Sequence, residues 1–319
     1  MFKSSILAAF GAAIVMSAVG TAPSLARDAA TPSAQAQTPA GENTTEPATQ
    51  NARQRREARN RSTPPPPSPA QSAAAARALA TATNTSCEVT SAEFRGVTPN
   101  REKTYEAVCA TGPGYIFVES TPPVAANCVL LAGQAEIERT RNPEADVGTQ
   151  CTIAQNQDVL RVISAYAAEA GVPCTPDQGA SIGTSPEGNL LYEVGCNGAD
   201  GYRLERLPDG WRKSECLEIV GLNGRCRFST QAEQAATLTA RFAGNPEAAA
   251  CVPTEARYMG ANANGSFYEA KCGAGNGIIV RFDTAYAVQQ VYPCETAQRI
   301  GDGCQLTIVP EAPAATAPQ

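Results

Sequence analysis

Hydrophobic and polar residues alternate in three separate stretches of the chain, and each stretch ends in the phrase Tyr-Glu-x-x-Cys. The three phrases occupy residues 105–109, 192–196 and 268–272. Polar turn residues lie midway between each of these cysteines and the cysteine before it, at residues 97–100, 185–188 and 261–265. Glycines follow each phrase and lead to another apolar run, at residues 115–118, 202–204 and 278–280. Each stretch therefore predicts a β-hairpin followed by a third strand.

Helical periodicity occurs between these stretches. Apolar residues three and four positions apart comprise Val159, Leu160, Ile163 and Ala167, then Ala235, Leu238 and Phe242. Thr230 precedes Glu233 by three positions, which is the pattern of a capping box. The Ala-rich run at residues 70–80 predicts a matching helix before the first stretch. The predicted fold class is α+β: three tandem, small, disulfide-stabilised β-meander modules with intervening helices, preceded by a disordered linker.

Twelve cysteines fall into three groups of four, which supports three homologous modules. The groups are Cys87, Cys109, Cys128 and Cys151; Cys174, Cys196, Cys216 and Cys226; and Cys251, Cys272, Cys294 and Cys304. The first-to-second intervals are 22, 22 and 21 positions. Four cysteines allow three pairings per module. We favour first-to-second and third-to-fourth, because equal distances from a central turn place the first two cysteines opposite each other.

These patterns divide the chain of 319 residues into six parts. They are a signal peptide (1–26), a disordered basic and Pro-rich linker (27–69), module 1 (70–151), module 2 with its preceding helix (152–226), module 3 with its preceding helix (227–309) and a disordered tail (310–319).

The N-terminal residues predict export. Lys3 supplies a positive charge, residues 6–19 are apolar, and Ser24-Leu25-Ala26 fits a cleavage site before Arg27. The alternative, a membrane anchor, is weaker because the apolar run is shorter than the ~18 residues that a span requires. An even number of cysteines in an exported chain indicates disulfides. With 21 Arg against 4 Lys, the composition is typical of a high-GC bacterial gene, so we expect a periplasmic or secreted protein.

Charge is distributed unevenly along the chain. Residues 27–85 carry seven basic and four acidic residues, whereas residues 86–319 carry 17 basic and 27 acidic residues. The basic linker includes Arg55, Arg56 and Arg59. Three interpretations remain open: a solvated linker, contact with an anionic envelope polymer or lipid surface, and docking onto the acidic remainder of the chain.

Missing residue types exclude several functions. The chain has no histidine, so it cannot form a Ser-His-Asp triad or a Cys-His nucleophile. The closest cysteines are ten positions apart, which argues against zinc ribbons, iron–sulfur clusters and thioredoxin-type redox sites. Carboxylate-pair hydrolysis is not excluded, because it needs only Asp and Glu, although small modules rarely enclose the cleft that it requires. We expect no catalytic residues, no metal, no cofactor, no nucleic-acid partner and no transmembrane span in the mature chain.

The repeated Tyr-Glu pair could be a functional set, but a structural role is favoured because all copies share it. Alternation places tyrosine and glutamate on opposite faces of a strand, one toward the core and one toward solvent or a backbone donor. The glycine-rich run at residues 273–277 predicts a hairpin turn rather than a phosphate-binding loop, since a strand pattern follows it.

Candidate binding residues lie where the copies differ, between the third strand and the third cysteine. They are Trp211, Arg212 and Lys213 in a polar loop of module 2, and Tyr286 and Tyr292 in module 3. An exposed Trp211 could stack on a sugar or anchor a partner protein, and the alternative is a tryptophan that covers a thin core. Module 1 has extra charged residues at 136–146, which predict an exposed loop.

The function expected from these features is non-enzymatic binding or scaffolding in the cell envelope. Candidate partners are peptidoglycan, an anionic glycan or an envelope protein, because linked weak modules gain avidity on a repetitive polymer. The alternative is a secreted, disulfide-rich inhibitor of a protease or other hydrolase, since stiff loops bind at a lower entropic cost.

Overall fold

A computed structural model describes residues 65–307. The predicted signal peptide, most of the linker and the C-terminal tail lie outside these residues. The helices are α1 (Pro69–Ala82), α2 (Cys128–Arg141), α3 (Ala154–Gln157), α4 (Val159–Glu169), α5 (Cys216–Gly221), α6 (Gln231–Phe242) and α7 (Pro246–Ala249). The first four strands are β1 (Val89–Val97), β2 (Lys103–Cys109), β3 (Tyr115–Val118) and β4 (Val124–Asn127). The others are β5 (Pro176–Thr184), β6 (Leu190–Cys196), β7 (Ala199–Leu207), β8 (Gly210–Glu215), β9 (Pro253–Asn262), β10 (Gly265–Cys272), β11 (Ile278–Phe282) and β12 (Val288–Pro293).

The strands form three antiparallel sheets of four strands each. The first sheet is β1–β4, the second β5–β8 and the third β9–β12, and in each the strands pair in chain order. Helices combined with antiparallel sheets agree with the predicted α+β class. The expectation of three strands per sheet was wrong. The fourth strands escaped detection because β4 has only four residues and β8 is polar, containing Arg212 and Lys213.

The first two strands of each sheet form the predicted hairpins. One glycine near the end of β1, β5 and β9 has a positive φ: 113° at Gly96, 106° at Gly183 and 120° at Gly260. The pairing register shifts at each of these glycines. Since a left-handed backbone is accessible mainly to glycine, each residue marks a β-bulge at the same place in its hairpin.

The predicted helices form with small changes at their ends. The Ala-rich helix α1 spans Pro69–Ala82, and α4 spans Val159–Glu169. Helix α6 begins after Thr230, whose side chain forms the predicted capping box with Glu233. The charged loop expected at residues 136–146 was wrong in its first half, because Glu136 to Arg141 form the last turns of α2.

Six disulfides join the first cysteine of each group to the second and the third to the fourth, which confirms the favoured pairing. The third cysteines Cys128 and Cys216 begin α2 and α5, whereas Cys294 begins a turn. Each of these two helices follows one sheet in the chain and packs on the next sheet. Helix α2 packs on β5 of the second sheet, and α5 packs on β9 of the third. The helices thereby connect consecutive sheets.

Each sheet has its own apolar core. Tyr105, Tyr192 and Tyr268 belong to the cores of the first, second and third sheets, and none is more than 2% exposed. Within residues 65–307, none of the helices combines the length and the apolar composition needed to cross a bilayer.

Candidate functional site

Glu106, the glutamate of the first Tyr-Glu pair, is fully buried on the sheet face opposite Tyr105. Its carboxylate accepts hydrogen bonds from the backbone N–H of Thr152 at 2.9 Å and of Ile153 at 2.8 Å. The side-chain amide of Asn156 donates another at 3.0 Å. The carboxylate thus binds the backbone N–H groups of the segment that follows the fourth cysteine. Strand alternation led us to expect that the glutamate would face either solvent or such a backbone donor.

The other two glutamates make the same contacts. Glu193 accepts hydrogen bonds from the backbone N–H groups of Arg227 and Phe228, the latter at 2.6 Å. Glu269 accepts one from the backbone N–H of Leu306 at 2.7 Å. In each sheet a buried carboxylate therefore fixes the backbone just after the fourth cysteine. The recurrence and the full hydrogen bonding support the predicted structural role of the Tyr-Glu pair.

Each of these glutamates also lies close to the third and fourth cysteines of its group. In the described part of the chain, these three triads are the groups whose possible ligand atoms lie close enough together to hold a metal ion. They are Glu106 with Cys128 and Cys151, Glu193 with Cys216 and Cys226, and Glu269 with Cys294 and Cys304. Both sulfurs of each triad are joined in a disulfide. A disulfide supplies no thiolate, and thiolate is the form of cysteine that binds metals.

Trp211 lies in strand β8, not in the expected polar loop. Its ring packs against Tyr166 and Tyr192, with centroids 5.1 and 5.9 Å away. Its indole N–H donates to Glu169 at 3.1 Å, and the Arg206 guanidinium lies 4.7 Å from its ring centroid. This half-buried tryptophan covers the core of the second sheet, with its polar atom and one ring face already occupied.

The remaining sequence candidates are scattered. Arg212 forms an ion pair with Glu205, and Lys213 donates a hydrogen bond to the carbonyl of Gly171. Tyr292 lies in β12 of the third sheet, where its hydroxyl hydrogen-bonds to the side chain of Gln290. The cluster of Arg55, Arg56 and Arg59 lies outside the described residues. Trp211, Arg212 and Lys213 therefore share one strand, and the structure does not bring them together with Tyr292.

Tyr286 belongs to a partly buried polar cluster between the second and third sheets. The Arg241 guanidinium lies 3.8 Å from the centroid of the Tyr286 ring and forms an ion pair with Glu215. The hydroxyls of Tyr268 and Tyr286 both donate to Glu218, at 3.0 and 3.4 Å. Burial raises the pKa of both tyrosines above its ordinary value, so the phenols stay protonated and act as donors.

Asp200 lies beside this cluster, at the start of β7, and is 2% exposed. Its carboxylate accepts hydrogen bonds from the backbone N–H of Leu217 at 2.8 Å and from the Ser229 hydroxyl. Its own N–H donates to the Thr237 hydroxyl at 2.7 Å. Burial raises the pKa of Asp200 to about 6, although the two accepted hydrogen bonds oppose that shift. This carboxyl therefore changes charge close to neutral pH.

A cavity of about 360 Å³ opens next to Asp200. Tyr202, Thr237 and Arg241 also line it, together with Pro173 and other small apolar residues. The lining offers a carboxyl, a phenol, a hydroxyl and a guanidinium, a set that can hold a small polar ligand. This cavity and the partly buried polar cluster beside it are the candidate functional site.

Sequence reasoning identified Tyr286 but missed Asp200, Glu215 and Arg241. One signal was available for Asp200. The position four residues after the second cysteine is Pro113 in the first group of four cysteines, Asp200 in the second and Asn276 in the third, so only the second group has an acid there.

The sequence matches no protein-family model, and none of the curated proteins compared with it matches either.

Proposed function

We propose that the chain is an exported, non-enzymatic binding or scaffold protein of the bacterial cell envelope, built from three tandem copies of one disulfide-held β-meander module. The observation that carries this proposal is the recurrence of one set of fixed contacts in all three sheets. Each sheet has the same two disulfide pairings, the same buried tyrosine and the same carboxylate that binds the segment after the fourth cysteine. Repetition of a whole framework suits the presentation of several similar surfaces to a repetitive ligand.

The helices between sheets add to this argument. Because α2 packs on β5 and α5 packs on β9, consecutive sheets are held at set positions instead of being joined by free linkers. An array of fixed spacing loses less conformational freedom when it binds a polymer than a string of independent modules does. Peptidoglycan, another anionic glycan and an envelope protein are the ligand classes proposed.

Export and the linker complete the proposal. Cleavage before Arg27 would release residues 27–319, with the basic linker ahead of an acidic remainder. Arg55, Arg56 and Arg59 would then supply a salt-sensitive attraction to an anionic surface. N-terminal sequencing of the protein recovered from the periplasm or medium tests the cleavage, and the expected first residue lies near Arg27.

Co-sedimentation with insoluble peptidoglycan sacculi tests the function. Mature protein is compared with a variant carrying Arg55→Ser, Arg56→Ser and Arg59→Ser, over a range of salt concentrations. The matched control replaces three exposed arginines of the described part by serine: Arg139, Arg141 and Arg299. Binding that falls in the linker variant and with salt, but not in the control, supports an electrostatic role for the linker. Binding equal in all three proteins places the ligand site in the sheets.

Absence of binding by the mature protein would overturn the peptidoglycan proposal. Incubating the mature protein with a panel of proteases and measuring the remaining protease activity distinguishes the inhibitor hypothesis from the scaffold hypothesis. An inhibitor abolishes protease activity at a stoichiometric ratio, and a scaffold does not.

A further inference from the structure

The cavity beside Asp200 lies between the second sheet and helix α6. Its floor contains Asp200, which is 2% exposed, and Tyr202, which is 7% exposed. Ala236 and Ala240 of α6 form its rim, and both are exposed to solvent. A ligand can therefore enter over α6 and reach the buried carboxyl group.

The equivalent place between the first and second sheets is occupied by an arginine side chain. Arg161 of α4 donates a hydrogen bond from its guanidinium to the carbonyl of Gly112 at 3.1 Å, and its Nε atom is buried. Gly112 lies three residues after the second cysteine of the first group. The residue three positions after the second cysteine of the second group is Ala199, which lines the cavity.

The helices α4 and α6 give the same correspondence. The residue that is 0% exposed is Ile163 in α4 and Leu238 in α6. Counted from these residues, Arg161 corresponds to Ala236, since each lies two positions earlier in its helix. The cavity therefore lies where a guanidinium side chain is found between the first two sheets, and alanine replaces that arginine on its rim.

The cavity also has an acid that its counterpart lacks, because Asp200 takes the position of Pro113. The hydrogen-bond donors to the Asp200 carboxylate are both neutral, namely the backbone N–H of Leu217 and the hydroxyl of Ser229. A carboxylate has about four acceptor positions, so it can accept further hydrogen bonds from a ligand in the cavity.

Arg241, the cation in the cavity lining, is engaged by other groups. It forms an ion pair with Glu215, and its guanidinium stacks on the ring of Tyr286. Buried charges in proteins are usually paired, so the complement that the Asp200 carboxylate lacks is a cation. Small apolar residues form most of the remaining wall, and they suit the methylene groups of an alkyl chain.

We propose that this cavity binds the guanidinium group of an alkylguanidinium ligand, with the Asp200 carboxylate as its counter-ion. Its volume of about 360 Å³ falls in the range of small-molecule sites. The ligand takes the place that the Arg161 side chain has between the first two sheets. This binding goes beyond the scaffold function proposed above and does not depend on it.

Isothermal titration calorimetry of the mature protein with butylguanidine tests the proposal. Butylguanidine resembles an arginine side chain without its backbone, and butylurea is a neutral control of the same shape. The titration is made at pH 8, where the Asp200 carboxyl is ionised. We expect saturable binding of butylguanidine and none of butylurea. Asp200→Asn should weaken the binding by at least about tenfold, because it removes the charged partner of the guanidinium.

A variant that fills the cavity from within the chain gives a second test. Ala236→Arg gives α6 the arginine that α4 has, at an exposed position where the substitution is compatible with folding. We expect this variant to lose butylguanidine binding. Its urea midpoint should rise relative to native protein, and no rise is expected when Asp200→Asn is also present. Ala232→Arg is the matched control, since Ala232 is an exposed residue one turn earlier in α6 and outside the lining; binding should be unchanged.

The proposal is overturned if butylguanidine does not bind, if butylurea binds as tightly, or if Asp200→Asn leaves the affinity unaltered. Pentanoate tests the opposite charge, because Nη1 of Arg241 has no partner among the described residues. Binding of pentanoate in place of butylguanidine would contradict the proposal.

The source of the guanidinium is distinguished by a blocked arginine, Nα-acetyl-arginine methylamide, titrated in the same way. If it binds as tightly as butylguanidine, the natural ligand is an arginine side chain of a polypeptide. If it binds much more weakly, the natural ligand is a free guanidinium compound.

Discussion

The carboxylate of Glu269 binds the backbone of Leu306, with an N–H to Oε1 distance of 2.7 Å across 37 residues of sequence. The same carboxylate receives the Nε–H of Arg257 at 2.8 Å and is fully buried. It therefore joins β10, β9 and the segment after Cys304. Equivalent carboxylates in the other two sheets hold the equivalent segments, so these contacts contribute to the stability of all three sheets.

Replacing Glu269 by glutamine tests this contribution. The neutral amide accepts the backbone N–H groups less strongly and presents a donor to them on one side, so we expect the free energy of unfolding to fall by about 1–3 kcal/mol. Denaturant unfolding followed by far-UV circular dichroism measures it. Glu255→Gln is the control, because Glu255 pairs with Lys271 at the surface and should change stability by less than about 1 kcal/mol. Equal effects of both variants would contradict the anchoring role.

A glycine contact between α5 and β9 makes a second prediction. Gly221→Ala places a methyl group 2.8 Å from two backbone-linked atoms of Tyr258, so α5 must move away from the strand. We expect a loss of about 1–3 kcal/mol and faster amide hydrogen exchange in α5 and β9. Gly244→Ala is the control, since a Cβ atom there meets no neighbour within 4 Å and its φ is not positive. Unchanged exchange in Gly221→Ala would show that the contact is not close in solution.

The hairpins were predictable because each is marked by a cysteine, a polar turn and a tyrosine that must face inward. Nothing comparable marks the fourth strands, whose pairing depends on the preceding strand and not on their own alternation. Helix α2 was missed because Glu136, Glu138 and Arg139 dominate its second half, and its buried side is set by a contact with the second sheet. A contact between sheets, such as that of Gly133 in α2 with Ser181 in β5, joins residues far apart in the sequence and leaves no pattern along the chain.

The candidate site was only partly predictable for a related reason. Tyr286 stood out as an aromatic residue at a position where the copies differ, whereas Arg241 looks like an ordinary basic residue at the end of a predicted helix. Its role depends on Glu215 and Tyr286, which lie in two other elements brought together by folding. Pairings of this kind become visible only in three dimensions.

Trp211 is predicted to act mainly through packing. Trp211→Ala removes the ring that covers Tyr166 and Tyr192 and leaves Glu169 without the indole donor, so we expect unfolding to become easier by about 2–4 kcal/mol. Urea unfolding monitored by circular dichroism provides the measurement. Tyr292→Ala, which removes a half-exposed ring from an outer strand, should cost less than about 1 kcal/mol. A stable Trp211→Ala protein that no longer binds its ligand would identify Trp211 as a binding residue instead.

Stability near neutral pH should depend on Asp200. Its pKa is about 6 in the folded protein, because of burial, and 3.8 for an ordinary aspartate. Between these two values the unfolded chain is ionised at this residue while the folded chain holds a proton, so the contribution of Asp200 becomes less favourable as pH rises from about 4 to about 6. Above pH 6 the folded group ionises too, and the loss levels off at about 3 kcal/mol.

The pH dependence isolates this residue when native protein is compared with Asp200→Asn. Asparagine keeps an oxygen that can accept the Leu217 N–H but does not titrate, so the difference in unfolding free energy between the two proteins should favour the native protein most near pH 4 and decline toward pH 7. Other groups near the site, including Glu215 and Arg241, are present in both proteins and largely cancel in this difference. A difference that stays constant from pH 4 to pH 7 would mean that the Asp200 carboxyl titrates in the folded protein as it does in the unfolded chain.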